Sequence, residues 1–277
     1  MRWLLVPVVV AVLASAAAGA TGPAAGSSAF LVGRQSTSGG FAESGRAPDG
    51  PLTAWAALGL VAADASTLGR SRARDFLRAN TAAIATDTDL ALHVLALEAL
   101  GETVDESLLG RLRRHRPDVL VNATIWTVLA LRAAGEQPPK PFVEAILTAQ
   151  ERGGGFPWSR GGSADSNDTA AAIQALRSAG VGGASIRRAV AALRSFQNRD
   201  GGFSLTKGRE SDAQSTAWAI QALLSAGERP GKAPFRFLSR LRRGDGSYRY
   251  SLAYATTPVW VTAQVLPALA GRPFPFS

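Results

Sequence analysis

Two patterns of apolar residues alternate along the chain. Segments such as Asp168–Gly180 and Ser215–Gly227 are rich in Ala and Leu and are apolar on nearly every side of a helix. Segments such as Ala184–Gln197 and Ala233–Arg243 repeat apolar residues every three or four positions and place arginines on the opposite side. The first pattern predicts buried helices, and the second predicts helices that lie on a surface with one face covered.

The buried pattern occurs six times, at intervals of 34 to 47 residues. Each copy opens near a Ser, Thr or Asp, which are the side chains that cap helices. One column of the aligned copies reads Trp55, Leu92, Trp126, Ala171, Trp218 and Trp260. The other surface-type helices are predicted at Ser28–Gln35, Leu68–Ala79, Asp105–His115 and Pro141–Gln150. Six such pairs predict an all-α (α/α)6 toroid, with the apolar helices inside and the arginine-rich helices outside.

A turn motif recurs between a surface helix and the buried helix that follows it. The motif is Gln, three residues, Gly, one residue and an aromatic residue. Three copies keep all three positions and a fourth replaces the Gln, at Gln35–Phe41, Gln150–Phe156, Gln197–Phe203 and Arg242–Tyr248. The Gly permits positive φ, and the Gln amide is expected to bond free backbone groups at helix ends.

This motif resembles the QW repeat of squalene–hopene cyclases and related terpene cyclases, and Ser215–Leu223 resembles their inner helices. The resemblance covers residues 28–271. It implies the α/α-toroid that these enzymes share with protein prenyltransferase β-subunits, complement thioester domains and the helical domain of cobalamin carriers. Because these proteins do unrelated things on one scaffold, the resemblance implies the fold rather than one activity.

The N-terminal segment differs in composition from the rest. A positively charged start precedes an apolar run, and small residues follow as far as Ala20. This order predicts a signal peptide over residues 1–20, a linker over 21–27 and the toroid over 28–277. An uncleaved membrane anchor is the alternative, because the apolar segment is just long enough to span a bilayer. Both interpretations predict an exported protein.

The absence of cysteine restricts the chemistry. The chain of 277 residues has no Cys and only two His, His93 and His115. Disulfides and Cys-ligated zinc are therefore excluded, and a multi-His metal site is not expected. The zinc-dependent prenyltransferase and thioester chemistries that the resemblance implies both need Cys, so neither is expected. We predict no metal and no cofactor.

Terpene cyclases of the protonating class, by the same resemblance, use the middle Asp of an Asp-x-Asp-Asp motif before an inner helix as a proton donor. The best match, Asp165–Asp168, has Asn167 at the donor position. Across the six copies that position reads Pro51, Thr88, Asn122, Asn167, Gln214 and Thr256. One alternative stays open, because a shift of the second copy by one residue makes Asp89 the acid and places His93 in the tryptophan column.

A ring brings the N-termini of its inner helices to one rim. The candidate ligand-binding residues are the polar and aromatic residues near those ends, namely Trp158, Asp165, Asp168, Asp212, Tyr248, Tyr250 and Tyr254. Helix capping is the alternative role for the aspartates, as it is for Asp49, Asp87 and Asp89. Packing is the alternative role for the tryptophan column.

Three functions remain open. The first is an exported, non-catalytic toroid that binds a corrinoid or an isoprenoid-like molecule, as the likeness to carriers suggests, with a separate β-rich protein completing the site. The second is a small class II terpene cyclase or isomerase. The third is a structural module whose basic face docks on an anionic envelope component, since the net charge is +9. No groove-reading motif accompanies the arginines, so nucleic acid is not an expected partner.

Overall fold

A computed structural model describes residues 23–117 and 120–276. The predicted signal peptide, residues 1–20, lies outside the described residues. The first helix begins at Pro23, so most of the stretch predicted as a linker is helical instead. Within the described residues, no helix is long and apolar enough to cross a bilayer.

Twelve helices alternate between two layers in residues 23–117 and 120–276. The inner helices, buried on nearly every side, are α2 Gly50–Ala62, α4 Asp87–Ala99, α6 Val121–Ala133, α8 Ser166–Ser178, α10 Ala213–Ser225 and α12 Pro258–Leu269. The outer helices, each with one buried face, are α1 Pro23–Arg34, α3 Thr67–Ala79, α5 Glu106–Arg113, α7 Lys140–Thr148, α9 Ala184–Arg194 and α11 Ala233–Leu241. A short antiparallel hairpin, β1 Phe156–Pro157 and β2 Ala164–Asp165, precedes α8.

The inner layer closes into a ring. Helix α2 packs on α4, the same relation continues through α6, α8, α10 and α12, and α12 packs back on α2. Each of the outer helices α3, α5, α7, α9 and α11 packs on the inner helix before it, and α1 packs on α12. The predicted (α/α)6 toroid is therefore confirmed. Because an outer helix returns the chain after every inner one, the inner N-termini share one end of the ring, which we call the N-terminal rim.

Side-chain caps start most of the inner helices. Asp49, Asp165 and Asp212 each accept the N–H three residues ahead, at 2.7, 2.8 and 2.7 Å. Thr86 caps α4 by accepting the N–H of Asp89 at 3.1 Å. Capping is therefore confirmed for Asp49, Asp165 and Asp212. Asp89 is not a cap, because it lies inside the first turn of α4.

The glutamine of the turn motif joins neighbouring outer helices. The Nε2 group of Gln150 donates to the carbonyls of Gly154 and Ser185, both at 2.9 Å. The ring of Phe156 is fully buried, and its N–H donates to Thr169 Oγ1 at 3.0 Å. The predicted role of the amide is confirmed, and it links the turn to the first turn of the next outer helix.

The glycine of this motif gives a testable prediction. Gly154 has φ +90°, and a Cβ there would overlap the backbone carbonyl of Arg188. Gly135 also has positive φ, +76°, but nothing lies within 4 Å of its Cβ position. We expect Gly135→Ala to lower the free energy of unfolding by about 1 kcal/mol, and Gly154→Ala by about 3 kcal/mol because steric overlap adds to the backbone strain. Chemical denaturation checks this, and equal losses would contradict the overlap.

Threonine contacts set the register of the repeats. In four repeats a threonine of the inner helix accepts the N–H of the turn aromatic, namely Thr53, Thr169, Thr216 and Thr262. The column that contains the tryptophans lies two residues later. Its member in the sixth repeat is therefore Gln264, and the prediction of Trp260 is wrong by one helical turn.

Candidate functional site

Aromatic side chains fill the axis of the ring. Trp55, Trp126 and Trp218 are buried, with ring centroids 5.4 to 5.8 Å apart. Phe274, from the segment after α12, packs on Trp55 and Trp126 at 6.1 and 6.3 Å. We call these four side chains the aromatic plug. The packing role of the tryptophan column is confirmed.

The C-terminal segment closes the end of the ring opposite the N-terminal rim. The N–H of Phe274 donates to the buried Oε1 of Gln174 at 2.8 Å. Arg272 Nη1 donates to the carbonyl of Val61, near the end of α2, at 3.0 Å. These bonds hold Phe274 against the tryptophans, where it also lines a pocket at this end of the ring.

Loops of successive repeats overlap around the N-terminal rim. The N–H of Asn122, in the first turn of α6, donates to the carbonyl of Trp158 at 3.0 Å. Equivalent bonds from the next repeats cover the starts of α8 and α10. At α12 the N–H of Trp260 donates to Glu43 Oε1 at 2.8 Å, so the first repeat covers the last. Loops of neighbouring repeats therefore cover the starts of α6, α8, α10 and α12.

The position that faces the axis one turn above the aromatic plug has no carboxyl. It lies four residues before the tryptophan column in each repeat and is occupied by Pro51, Thr88, Asn122, Asn167, Gln214 and, in the corrected register, Trp260 rather than Thr256. Because Thr86 is the cap of α4, the second repeat is not shifted and Leu92 stays in the tryptophan column. Asp89 is thus equivalent to Asp168, not to the proton donor of the motif.

Asp168 is a buried acid between α6 and α8. Its side chain is 4% exposed, and its Oδ1 accepts a hydrogen bond from Asn122 Nδ2 at 2.6 Å. Burial, and then the neighbouring carboxyl of Asp165, raise the pKa of Asp168 from 3.8 to about 8. Burial therefore favours the protonated form of this carboxyl far above the pH at which a solvated Asp ionises.

Asp212 is a second buried carboxyl at the rim, and its role is capping. Its two oxygens accept the N–H and the hydroxyl of Ser215, at 2.7 and 2.8 Å. Burial raises the pKa of Asp212 to about 6 in spite of these bonds. Tyr250 lies close by and is half-buried, and its carbonyl accepts the N–H of Ala213 at 2.7 Å. The structure thus places the backbone of Tyr250 against the start of α10, next to Asp212.

Exposed aromatic and aliphatic side chains surround the rim. Trp158 is 55% exposed in the β1–β2 loop, and Tyr254 is 58% exposed in the loop before α12. Leu252 is also exposed on the loop before α12, and Leu120 is exposed immediately before α6. Tyr248, predicted with them, is instead fully buried in its turn, because it is the aromatic residue of the fourth motif copy. It offers no surface to a ligand.

Asp89 and His93 lie on the side of α4 that faces α2 and line a cavity there. Asp89 Oδ2 accepts the hydroxyl of Thr86 at 2.7 Å. His93 is buried, and its Nε2 has no hydrogen-bond partner. Burial lowers the pKa of His93 to about 4, so its imidazole is neutral at pH 7. Neither side chain faces the axis.

Comparison with known proteins identifies the fold. No family model and no curated protein matches the chain. Solved structures match, with a protein from Actinoplanes at TM-score 0.67 and 18% identity over 90% of this chain and 98% of its own. The type II terpene cyclase MstE from Scytonema gives 0.69 and 16% over 90% and 96%, and Candida albicans protein geranylgeranyltransferase-I complexed with GGPP gives 0.60 and 11% over 79% and 82%. This chain has their α/α-toroid fold.

Buried polar atoms of inner helices α10 and α12 lack hydrogen-bond partners. Both amide atoms of Gln264, the Nε1 of Trp218 and the Oε1 of Gln221 are buried and unpartnered. A buried polar atom without a partner costs about 1–3 kcal/mol. A bound water that supplies the missing hydrogen bonds would therefore be stabilised beside these atoms.

A histidine that the sequence analysis left without a role is the centre of a polar chain. His115 Nδ1 lies 2.7 Å from Asp87 Oδ2, and its Nε2 lies 2.9 Å from Thr124 Oγ1. Thr124 is buried within α6, so this arrangement ties α5 to α4 and α6 and exposes no nucleophile. No sequence signal pairs these residues, because they are distant in the chain. Among the described residues, no group of three or more His, Cys, Asp or Glu is placed to hold a metal.

Proposed function

We propose that this toroid binds a ligand on its N-terminal rim without transforming it. The observation that carries the proposal is the filled axis. The aromatic plug occupies the interior of the ring, and the axis-facing position above it has no carboxyl in any repeat. A ligand therefore meets the rim and its loops, with no acid directed at it from the axis.

The distribution of exposed side chains favours a broad, flat ligand. Trp158 and Tyr254 extend from loops of different repeats. Leu252 is exposed two residues before Tyr254, and Leu120 is exposed just before the turn of α6 that contacts Trp158. A broad amphipathic molecule contacts several of these loops at once, whereas a narrow chain leaves most of them in water. A corrinoid is therefore the first probe. An isoprenoid-like molecule is the second, since solved neighbours were crystallised with geranylgeranyl dihydroxybenzoate or GGPP.

A partner protein and export complete the proposal. A ligand that binds on the rim contacts the toroid with one side only. A separate β-rich protein would cover the other side. The N-terminal composition supports export, and cell fractionation tests it. We expect the toroid outside the cytoplasm, and recovery from the cytosol alone would contradict this part of the proposal.

Replacing Trp158 tests rim binding. We expect the folded chain to bind cyanocobalamin, or a polyprenol or hopanoid, in a titration followed by ligand absorbance or tryptophan fluorescence. Trp158→Ala is expected to weaken binding by about tenfold or more, because large aromatic residues supply most of the energy at such interfaces. Leu68→Ala is the matched control, since Leu68 is exposed on the outer helix α3. Binding that is absent across the panel, or equal in Trp158→Ala, would contradict the proposal.

The second candidate is acid catalysis of the terpene-cyclase type, and Asp168 is the observation that favours it. Burial raises the pKa of its carboxyl, which favours the protonated form, and the toroid resembles type II terpene cyclases. Incubation with squalene and with polyprenyl diphosphates, followed by mass spectrometry, tests this function. A cyclised product that disappears in Asp168→Asn would establish it. A product that persists in Asp168→Asn and disappears in Asp89→Asn would instead make Asp89 the proton donor, which is the alternative left open by the sequence.

A further inference from the structure

A cavity of about 290 Å³ lies on the outer side of the N-terminal rim, between α2, α4 and the 3-10 turn Thr81–Ala83. Phe76 and Ile84 form apolar walls, and Asp49 and Asp89 bring two carboxyl groups to it. None of the four side chains of the aromatic plug lines this cavity, although Pro51 brings its edge to the axis-facing position of α2. Its size suits a molecule of about ten heavy atoms.

His93 is the buried polar group of this cavity. The side chain is 4% exposed and lines the cavity, and its Nε2 has no hydrogen-bond partner. Asp89 lies one helical turn before it, so the carboxyl and the imidazole share one face of α4. A buried nitrogen without a partner is costly, so a ligand or a water that completes its bonding stabilises the site.

The charge at the cavity is opposite to that of the chain. The protein has a net charge of +9, yet no Lys or Arg is among the described residues that line the cavity. Thr86 satisfies only one oxygen of Asp89, and the other has no partner among the described residues. The imidazole of His93 is neutral at pH 7, so it does not repel a cation.

We infer that this cavity binds a small organic cation with an apolar body. The ammonium group pairs with Asp89, the body packs on Phe76 and Ile84, and a polar atom of the ligand or of a bound water reaches His93 Nε2. An aromatic ring next to an ammonium group adds cation–π attraction. This site goes beyond the proposed rim function, and neither depends on the other.

Nuclear magnetic resonance of the two histidines tests the inference with phenethylammonium as the probe. Phenethyl alcohol and phenylpropionate are the neutral and anionic controls of similar shape. Because the chain has only His93 and His115, each imidazole is resolved, and His115 serves as the internal control. We expect phenethylammonium to bind with a Kd of about 1 mM or tighter, to shift the His93 signals and to leave His115 unchanged.

Variants separate the cavity from other acidic surfaces. Asp89→Asn is expected to weaken binding of phenethylammonium by about tenfold or more, because it removes a charged partner. If Asp89→Asn does not fold, Ile84→Trp is the alternative test. Its larger side chain fills the cavity, so we expect it to weaken binding of phenethylammonium by about tenfold or more as well. Asp75→Asn is the matched control, because its side chain is 64% exposed on α3. No binding, equal binding of the alcohol, or a shift confined to His115 would each overturn the inference.

Discussion

Trp126→Ala is expected to lower the free energy of unfolding by about 4 kcal/mol, the largest loss from any single substitution considered for this toroid. Trp126 is buried and contacts Trp55 and Trp218 at centroid distances of 5.4 and 5.5 Å. Removing it leaves a cavity at the one point where α2, α6 and α10 meet across the axis. Chemical denaturation at constant pH measures the loss.

Trp158→Ala is the matched control for this substitution. Trp158 is the same residue type, but it is 55% exposed on the rim and contributes little buried area. We expect its loss to change the free energy of unfolding by less than about 1 kcal/mol. Equal effects of the two substitutions would mean that the axis is not packed as described. The same pair of variants also separates stability from ligand binding, which Trp158→Ala is expected to weaken.

Asp168→Asn is expected to remove most of the pH dependence of stability between pH 6 and 8. The pKa of Asp168 rises from 3.8 in the unfolded chain to about 8 in the folded one. Between these values only the folded protein holds the proton, so the wild-type protein loses stability as the pH rises. The loss over two pH units is about 2 kcal/mol. The asparagine carries no proton and keeps an oxygen that can accept from Asn122.

Unfolding free energies at pH 6 and pH 8 measure this effect. Asp212 contributes with the same sign, but its pKa of about 6 places most of its effect below that range. Asp75→Asn, on an exposed position of α3, is the control and is expected to keep the wild-type slope. A slope that is unchanged in Asp168→Asn would show that Asp168 is ionised in the folded protein, and would also remove the second candidate function.

The ring itself was predictable because its signals are local and repeated. Helices that are apolar on every side must be buried, and helices with an arginine face must be outside. The turn motif predicted how an outer helix connects to the next inner helix. In the structure the Gln150 amide of this motif bonds backbone carbonyls of the turn and of the next outer helix. The register of the sixth repeat was mispredicted because Trp260 was aligned with the tryptophans of the other repeats. The contact that sets the register is made by Thr262 and places Gln264 in that column.

The contents of the ring could not be predicted in the same way. Phe274 enters the aromatic plug from a short segment after the last helix, where no repeat pattern reports its position. The raised pKa of Asp168 depends on its burial beside Asn122, which belongs to another repeat. The pairing of His115 with Asp87 likewise joins the segment after α5 to the start of α4, which are close only in the folded ring. Such contacts between repeats leave no trace in the spacing of a single sequence.

Equilibrium dialysis with mass spectrometry of both chambers tests the central claim most directly, because one sample reports binding and conversion together. The full chain is dialysed against cyanocobalamin, squalene and a polyprenyl diphosphate in separate cells. The proposed function predicts that at least one of these molecules accumulates beside the protein with its mass and retention time unchanged. A new isomer in either chamber, absent with Asp168→Asn, would contradict it and show that the filled ring is an enzyme.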